Sequence, residues 1–211
     1  DVATSGARPR FLQSILLLPH DTDVSQLNKV VQQIHSAAKA LHITVSGGHT
    51  ELTPSLDRAI VVTTCFAITD HFITSAGAKE GDLILMTKTV GIEGTSILAA
   101  HFQDGLRHLG SNLLARARKM LKKISVVEEA VSAFQTGLVH GMHDPTEGGL
   151  IGGVYEMAEA SNLGFTLAEN SISIADETRK ICATLGVDPL KLISSGVLLM
   201  SVAPKHSDTV I

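Results

Sequence analysis

Tryptophan is absent from this 211-residue chain, and one tyrosine and six phenylalanines are its only aromatic residues. So few rings make poor stacking platforms for single-stranded nucleic acid. Basic charge is also short. Lys and Arg number 17 against 21 Asp and Glu, a net charge of −4, and the one cationic cluster falls at 116–123 on a single predicted helix. A nucleic-acid partner, which needs a basic face, is therefore not expected. Two cysteines, Cys65 and Cys182, lie far apart with no Cys-x-x-Cys pair. That excludes a cysteine zinc framework and fits reduced thiols in a cytoplasmic protein. No apolar run approaches the roughly 18 residues that span a bilayer, so no membrane segment is expected. The longest candidates, 14–19 and 59–68, are strand-sized. Internal repeats and low-complexity tracts are missing too, and no signal peptide is visible within these residues, which leaves a targeting segment upstream open. The first residue is Asp rather than Met, so the chain is expected to start inside a longer protein.

What is present is apolar material: 44% of residues are hydrophobic and the mean hydropathy is +0.24, enough for one large domain or two modest ones. Residues 1–6 read as a helix end closed by glycine, and 10–18 as a mostly apolar strand. The clearest helix covers 21–41, where Val24, Leu27, Val31, Ile34, Ala38 and Leu41 recur every three or four residues. Asp23 and Gln26 stand in capping-box positions at its start. Residues 43–46 form a short strand. Residues 58–68 are apolar on both faces, which predicts a strand covered on both sides in a sheet, a barrel or a subunit interface. The composition shifts at 75–82, which places a domain boundary between 1–74 and 75–211. Beyond it the pattern predicts strands at 83–87, 165–167 and 196–202, and helices at 94–102, 112–122, 126–134, 150–160 and 175–185. Ser125 with Glu128 opens the third of these helices. This order argues for an α+β or α/β layered fold rather than a helical bundle.

Three segments could carry chemistry. Gly47-Gly48-His49-Thr50 follows a strand directly, and paired glycines there can turn backbone N–H groups toward an anion such as phosphate, with His49 and Thr50 adding donors. An ordinary turn is the alternative, and no Walker A lysine follows. In Asp144-Pro145-Thr146-Glu147-Gly148-Gly149, the Asp, Pro and Glu suit the N-cap, N1 and N3 positions of a helix. The two glycines do not, since each costs about 1 kcal/mol inside a helix, so either a packed neighbour or a ligand at the positive helix end must approach there. Asp1 is either a cap or a Mg²⁺ ligand. His140, His143 and Asp144 hint at zinc, but the spacing does not suit one helical face and Pro145 keeps the run in a loop.

Together these segments resemble the aminoimidazole ribonucleotide (AIR) synthetase superfamily, in particular its HypE-like branch of hydrogenase-maturation and AIR-synthetase-related proteins. Asp1-Val2-Ala3-Thr4-Ser5-Gly6-Ala7-Arg8-Pro9 is similar to the family's N-D-x-A-x-x-G-A-x-P segment begun at its aspartate. Residues 47–50 resemble its G-G-[DHE]-[TS] loop, 91–95 the opening of its second domain, 143–149 its D-x-T-x-G-G motif, and 194–199 its S-G-x-L-L strand. His49 departs from the G-D-T seen in HypE loops and matches selenophosphate synthetase. The resemblance implies a PurM-like two-domain α+β fold. Its N-terminal sheet would form a homodimer interface, and its C-terminal α/β domain would be cut short here, with an acidic glycine-rich segment expected before Asp1 and a helix and strand after Ile211.

The resemblance also implies ATP and Mg²⁺ as cofactors. Asp1 would ligate the metal, and Gly47, Gly48, His49 and Thr50 would contact the phosphates. Asp144, Thr146, Gly148 and Gly149 would close on them from the second domain, with Asp1 and Asp144 as the catalytic pair. The implied activity is phosphoryl transfer that activates an oxygen-bearing group, in a cytoplasmic maturation factor with a protein partner. A small-molecule kinase or synthetase of the thiamine-monophosphate kinase or selenophosphate synthetase type is the enzymatic alternative. A non-catalytic, partner-binding relative is the other.

Overall fold

The computed structural model describes residues 1–210. The chain divides into two compact units. The smaller comprises Val2 and Ala7–Asp70, and the larger comprises Asp1, Ala3–Gly6 and everything from His71 onward.

The smaller unit is a three-stranded sheet with one helix. Strand β1 (Phe11–Pro19) leads into helix α1 (Val24–Ala40), which returns the chain to β2 (Thr44–Thr53), and β3 (Ile60–Phe66) completes the order β2-β1-β3. β1 runs parallel to β2 and antiparallel to β3. The helix crossover is what permits the parallel pairing. The capping box read at Asp23 and Gln26 forms with both reciprocal bonds, at 2.8 and 3.0 Å.

Alternation along β1 separates two faces. Ser14, Leu16 and Leu18 are buried, with Val31, Ile34 and His35 of α1 opposite Ser14 and Leu16 across a cavity of about 390 Å³. On the other face, Phe11 stacks on Phe66 with ring centroids 5.4 Å apart, and Ile15 pairs in register with Val62. The sequence predicted that the third strand is covered in a sheet, a barrel or a subunit interface, and within the single chain neither of the first two covers it. In the single chain Ile60, Val61, Val62 and Phe66 are exposed, because one helix covers only part of one side.

The larger unit holds an antiparallel sheet of β4 (Leu83–Met86), β5 (Val139–His143) and β6 (Leu199–Val202), in the order β4-β6-β5. Its helices are α2 (Ile92–His101), α3 (Gln103–Leu106), α4 (Ser111–Lys119), α5 (Val127–Gln135), α6 (Gly149–Ala160), α7 (Asp176–Leu185) and α8 (Ser207–Val210). One core gathers Val90, Leu150, Val154, Met157, Leu190, Val197 and Leu199 where α6 meets the sheet. A second packs Ala99 of α2, Leu113, Leu114 and Ala117 of α4, and Ile181 of α7. Two expectations fail here. Residues 165–167 form no strand, and β5 occupies the histidine run that was expected as a loop.

Candidate functional site

Asp1 and Asp144 both belong to the larger unit. The chain bends there through a short 3-10 helix, Val2–Ser5, closed by Gly6 at φ +87°. A side chain at Gly6 would collide with the ring of Phe134. The amino group of Asp1, the first nitrogen of the sequence, pairs with Asp144 Oδ2 at 2.7 Å, although the two residues are 143 positions apart. The Asp1 carboxylate makes no cap hydrogen bond and is 97% exposed, so the cap reading of Asp1 is not realised. The Asp144 side chain, by contrast, is largely covered.

Residues 144–146 are irregular and 147–148 a turn, so none of them forms the first turn of a helix as their residue types predicted. The helix starts at Gly149 with Gly148 as its N-cap. The glycines set that boundary: Gly148 at φ +81° and Gly149 at φ +65° adopt the left-handed region that glycine tolerates without cost. A Cβ on Gly149 would also lie 2.6 Å from the Leu190 carbonyl oxygen and 2.7 Å from that of Leu192. Between packing and a ligand, the choice left open by the sequence, chain backbone occupies the approach at Gly149. Ile151 N–H donates to the same Leu190 carbonyl at 3.2 Å, so part of the α6 N-terminus is already satisfied. Thr146 accepts at its carbonyl from Gly149 and Ser194. The backbone N–H of Glu147 itself, then the Thr146 hydroxyl, hold the Glu147 carboxyl below its usual range.

The flanking histidines pair with carboxylates. His143 Nε2 lies 2.6 Å from Glu156 Oε2 on α6, and His140 Nδ1 lies 2.8 Å from the nearly buried Asp82. No group of three or more His, Cys, Asp or Glu able to hold a metal occurs among the described residues, so the zinc hint at His140, His143 and Asp144 finds no support. Cys182 is buried, and burial, then the Asp188 charge, pushes its thiol up, which makes it a poor nucleophile.

In the smaller unit, Gly47, Gly48, His49 and Thr50 are not a turn after a strand but the middle of β2. A register shift between Leu12 and Gln13 of β1 accompanies them. Gly48 is required because a side chain there would collide with the Ser14 carbonyl. His49 and Glu51 are exposed and 3.6 Å apart.

Sequence reasoning quoted Ser194 within a motif but gave it no role. Its fully buried hydroxyl accepts from Gly91 N–H at 3.0 Å. The glycine at 91, needed for a φ of +70°, was the available signal. The Glu156 partner of His143 left no local signal.

Two α+β units with these segments define a PurM-like protein. The chain belongs to the AIR synthase related protein family: residues 1–69 match the family's N-terminal domain and 79–211 its C-terminal domain. It is 30% identical over 210 residues to a Methanocaldococcus jannaschii protein named for hydrogenase expression and formation, covering 99% of this chain and 60% of that one. It is 28% identical over 206 residues to the carbamoyl dehydratase HypE of Azotobacter vinelandii, covering 94% of this chain and 57% of that one. A crystal structure of hydrogenase maturation protein HypE in complex with ATP shares the fold, with a TM-score of 0.83 at 24% identity over 100% of this chain and 62% of that one. The chain thus spans about 60% of the length of these relatives.

Proposed function

We propose that the chain is the core of an ATP- and Mg²⁺-dependent enzyme of the HypE-like branch, which activates an oxygen-bearing group by phosphoryl transfer on the way to dehydration. The reading rests on the 2.7 Å approach of the Asp1 nitrogen, the first of the sequence, to the Asp144 carboxylate, which brings two motif aspartates together. It is supported by relatives named carbamoyl dehydratase and by the ATP complex of a protein of this fold.

The donor chemistry fits a hard cation. The Asp1 carboxylate is solvated and free of a cap bond, and Mg²⁺ takes one or two protein carboxylates and completes its shell with water and phosphate oxygens. Bound there, Mg²⁺ would neutralise charge on the transferring phosphoryl group. Asp1 holds the cation. Asp144 holds the Asp1 nitrogen beside it, Thr146 shapes the turn with its hydroxyl on the Glu147 carboxylate, and the exposed Gly148 backbone offers a donor to phosphate oxygens. Gly149 serves by letting α6 start hard against residues 190–192. In the smaller unit, Gly47, Gly48, His49 and Thr50 supply main-chain, imidazole and hydroxyl donors to phosphate. No covalent residue is required, since fixed donors and charge stabilise the transferring group. The protein acts as a homodimer through the sheet of the smaller unit and with a maturation partner protein, in the cytoplasm.

Calorimetry of the full-length protein with MgATP tests this reading. Asp1→Ala and Asp144→Ala are each expected to weaken binding about tenfold or more, the scale of a lost charge-assisted contact. Unchanged affinity in both variants removes these residues from the site. A wild-type protein that binds no MgATP is instead the non-catalytic relative.

A further inference from the structure

We infer that Ser194 is a positioning residue: it clamps the turn carrying Asp144 and Thr146 to the turn that opens α2. The nucleotide arm of this inference rests on the proposed function, but the clamp itself does not. Residues 190–194 lie across the first turns of two helices. At one end the Leu190 carbonyl accepts from Ile151 N–H of α6 at 3.2 Å, and at the other the Ile193 carbonyl accepts from Gly94 N–H of α2 at 3.1 Å. Ser194 joins the two. Its backbone N–H donates to the Thr146 carbonyl at 3.3 Å. Its hydroxyl accepts from Gly91 N–H at 3.0 Å and donates to the Leu192 carbonyl at 2.8 Å.

The residue is 0% exposed, so water cannot replace these partners. Neither side can slide away freely. A Cβ on Gly94 would lie 2.6 Å from Leu192 Cδ1, and one on Gly149 lies against backbone carbonyls. Alanine at 194 orphans the buried Gly91 N–H and frees the Leu192 carbonyl, and the backbone bond to Thr146 loses its anchor. Asp144 lies two residues from that Thr146 carbonyl, so its carboxylate direction depends on the clamp.

Amide hydrogen exchange by NMR on the full-length protein tests the clamp. Gly91 reports one turn directly. Gly149, whose N–H donates to the Thr146 carbonyl at 3.1 Å, reports the other. Ser194→Ala is expected to speed exchange at both amides about tenfold or more, the scale of an orphaned buried donor. The control is Ser96→Ala, another buried serine, whose hydroxyl donates to the Arg118 carbonyl. It is expected to leave both amides unchanged. Acceleration at Gly91 alone, or equal acceleration in the control, overturns the clamp.

The second readout is MgATP affinity. Ser194→Ala is expected to weaken it about tenfold, Ser96→Ala to leave it unchanged, and Ser194→Cys, which keeps an acceptor at the same place, to restore part of the loss. Coupled exchange with undiminished affinity in Ser194→Ala makes the serine structural only and overturns the positioning role. Should Ser194→Ala fail to fold, Ser194→Cys carries both readouts, with smaller shifts of the same sign. A wild-type protein that binds no MgATP defeats the proposed function, while the exchange data still decide the clamp.

Discussion

Glycine pairs drew attention in the sequence because their cost inside regular structure demands a reason, and at 148–149 the reason is now specific. Gly149 combines φ +65° with backbone carbonyls where a side chain would begin. Gly149→Ala is therefore expected to destabilise the fold by about 1–3 kcal/mol, through strain and overpacking together. Gly164→Ala, at a glycine with open space around its Cβ position and no left-handed φ, is expected to change stability by less than about 0.5 kcal/mol. Urea unfolding of the two variants measures the contrast, and equal effects would remove the packing explanation. The residue types at the candidate site were legible, since carboxylates and glycines announce themselves. Their mates were not: the bond between Asp1 and Asp144 links positions 143 apart, and no local pattern encodes it.

Elements governed by periodicity and caps were read to within a few residues, because those signals are local. The helix predicted at 21–41 forms as α1 with its capping box in place. Ladders depend on what lies alongside, and there the reading slipped. β5 was missed because its run Val139-His140-Gly141-Met142-His143 shows no clean apolar alternation, and pairing with β6 overrides that weak propensity. Residues 165–167 have the alternation, yet no strand pairs with them among the described residues. Ser125 does reach the start of α5, accepting from Val127 N–H at 3.3 Å, but it stands one position before the N-cap, Val126.

The α1 cap also sets a pH dependence. The backbone N–H of Gln26 holds the Asp23 carboxyl below its ordinary value of 3.8. A depressed folded-state value means that the cap's contribution is full above about pH 3.8 and disappears as pH falls through the lowered value. Asp23→Ala is thus expected to lower Tm at pH 7 and to converge with wild type in strong acid. A difference in Tm that persists unchanged across that range would show that Asp23 acts by something other than its charge.

At the scale of the whole molecule, the smaller unit presents an apolar sheet face that this single chain does not bury. Ile15, at 43% exposure, sits opposite Val62, at 49%, with Ile60 and Phe66 exposed further along the same face of β3. Solvated apolar side chains in such a row mark an interaction surface, and β-branched strands apolar on both sides are those that pairing sheets bury. The proposed homodimer puts this face against its copy. A twofold contact is self-complementary, so one substitution acts twice in each interface. Ile15→Glu and Val62→Glu each place two carboxylates in that interface, where neither has a cation to pair with, and burying unpaired charge is costly. Sedimentation velocity is expected to show wild type as a dimer and both variants shifted to monomer. Ile97→Glu on α2, which replaces an exposed apolar residue of the larger unit, is expected to leave the dimer intact. A monomeric wild type, or dimers that survive both sheet substitutions, would assign this face to another partner and separate dimerisation from the sheet.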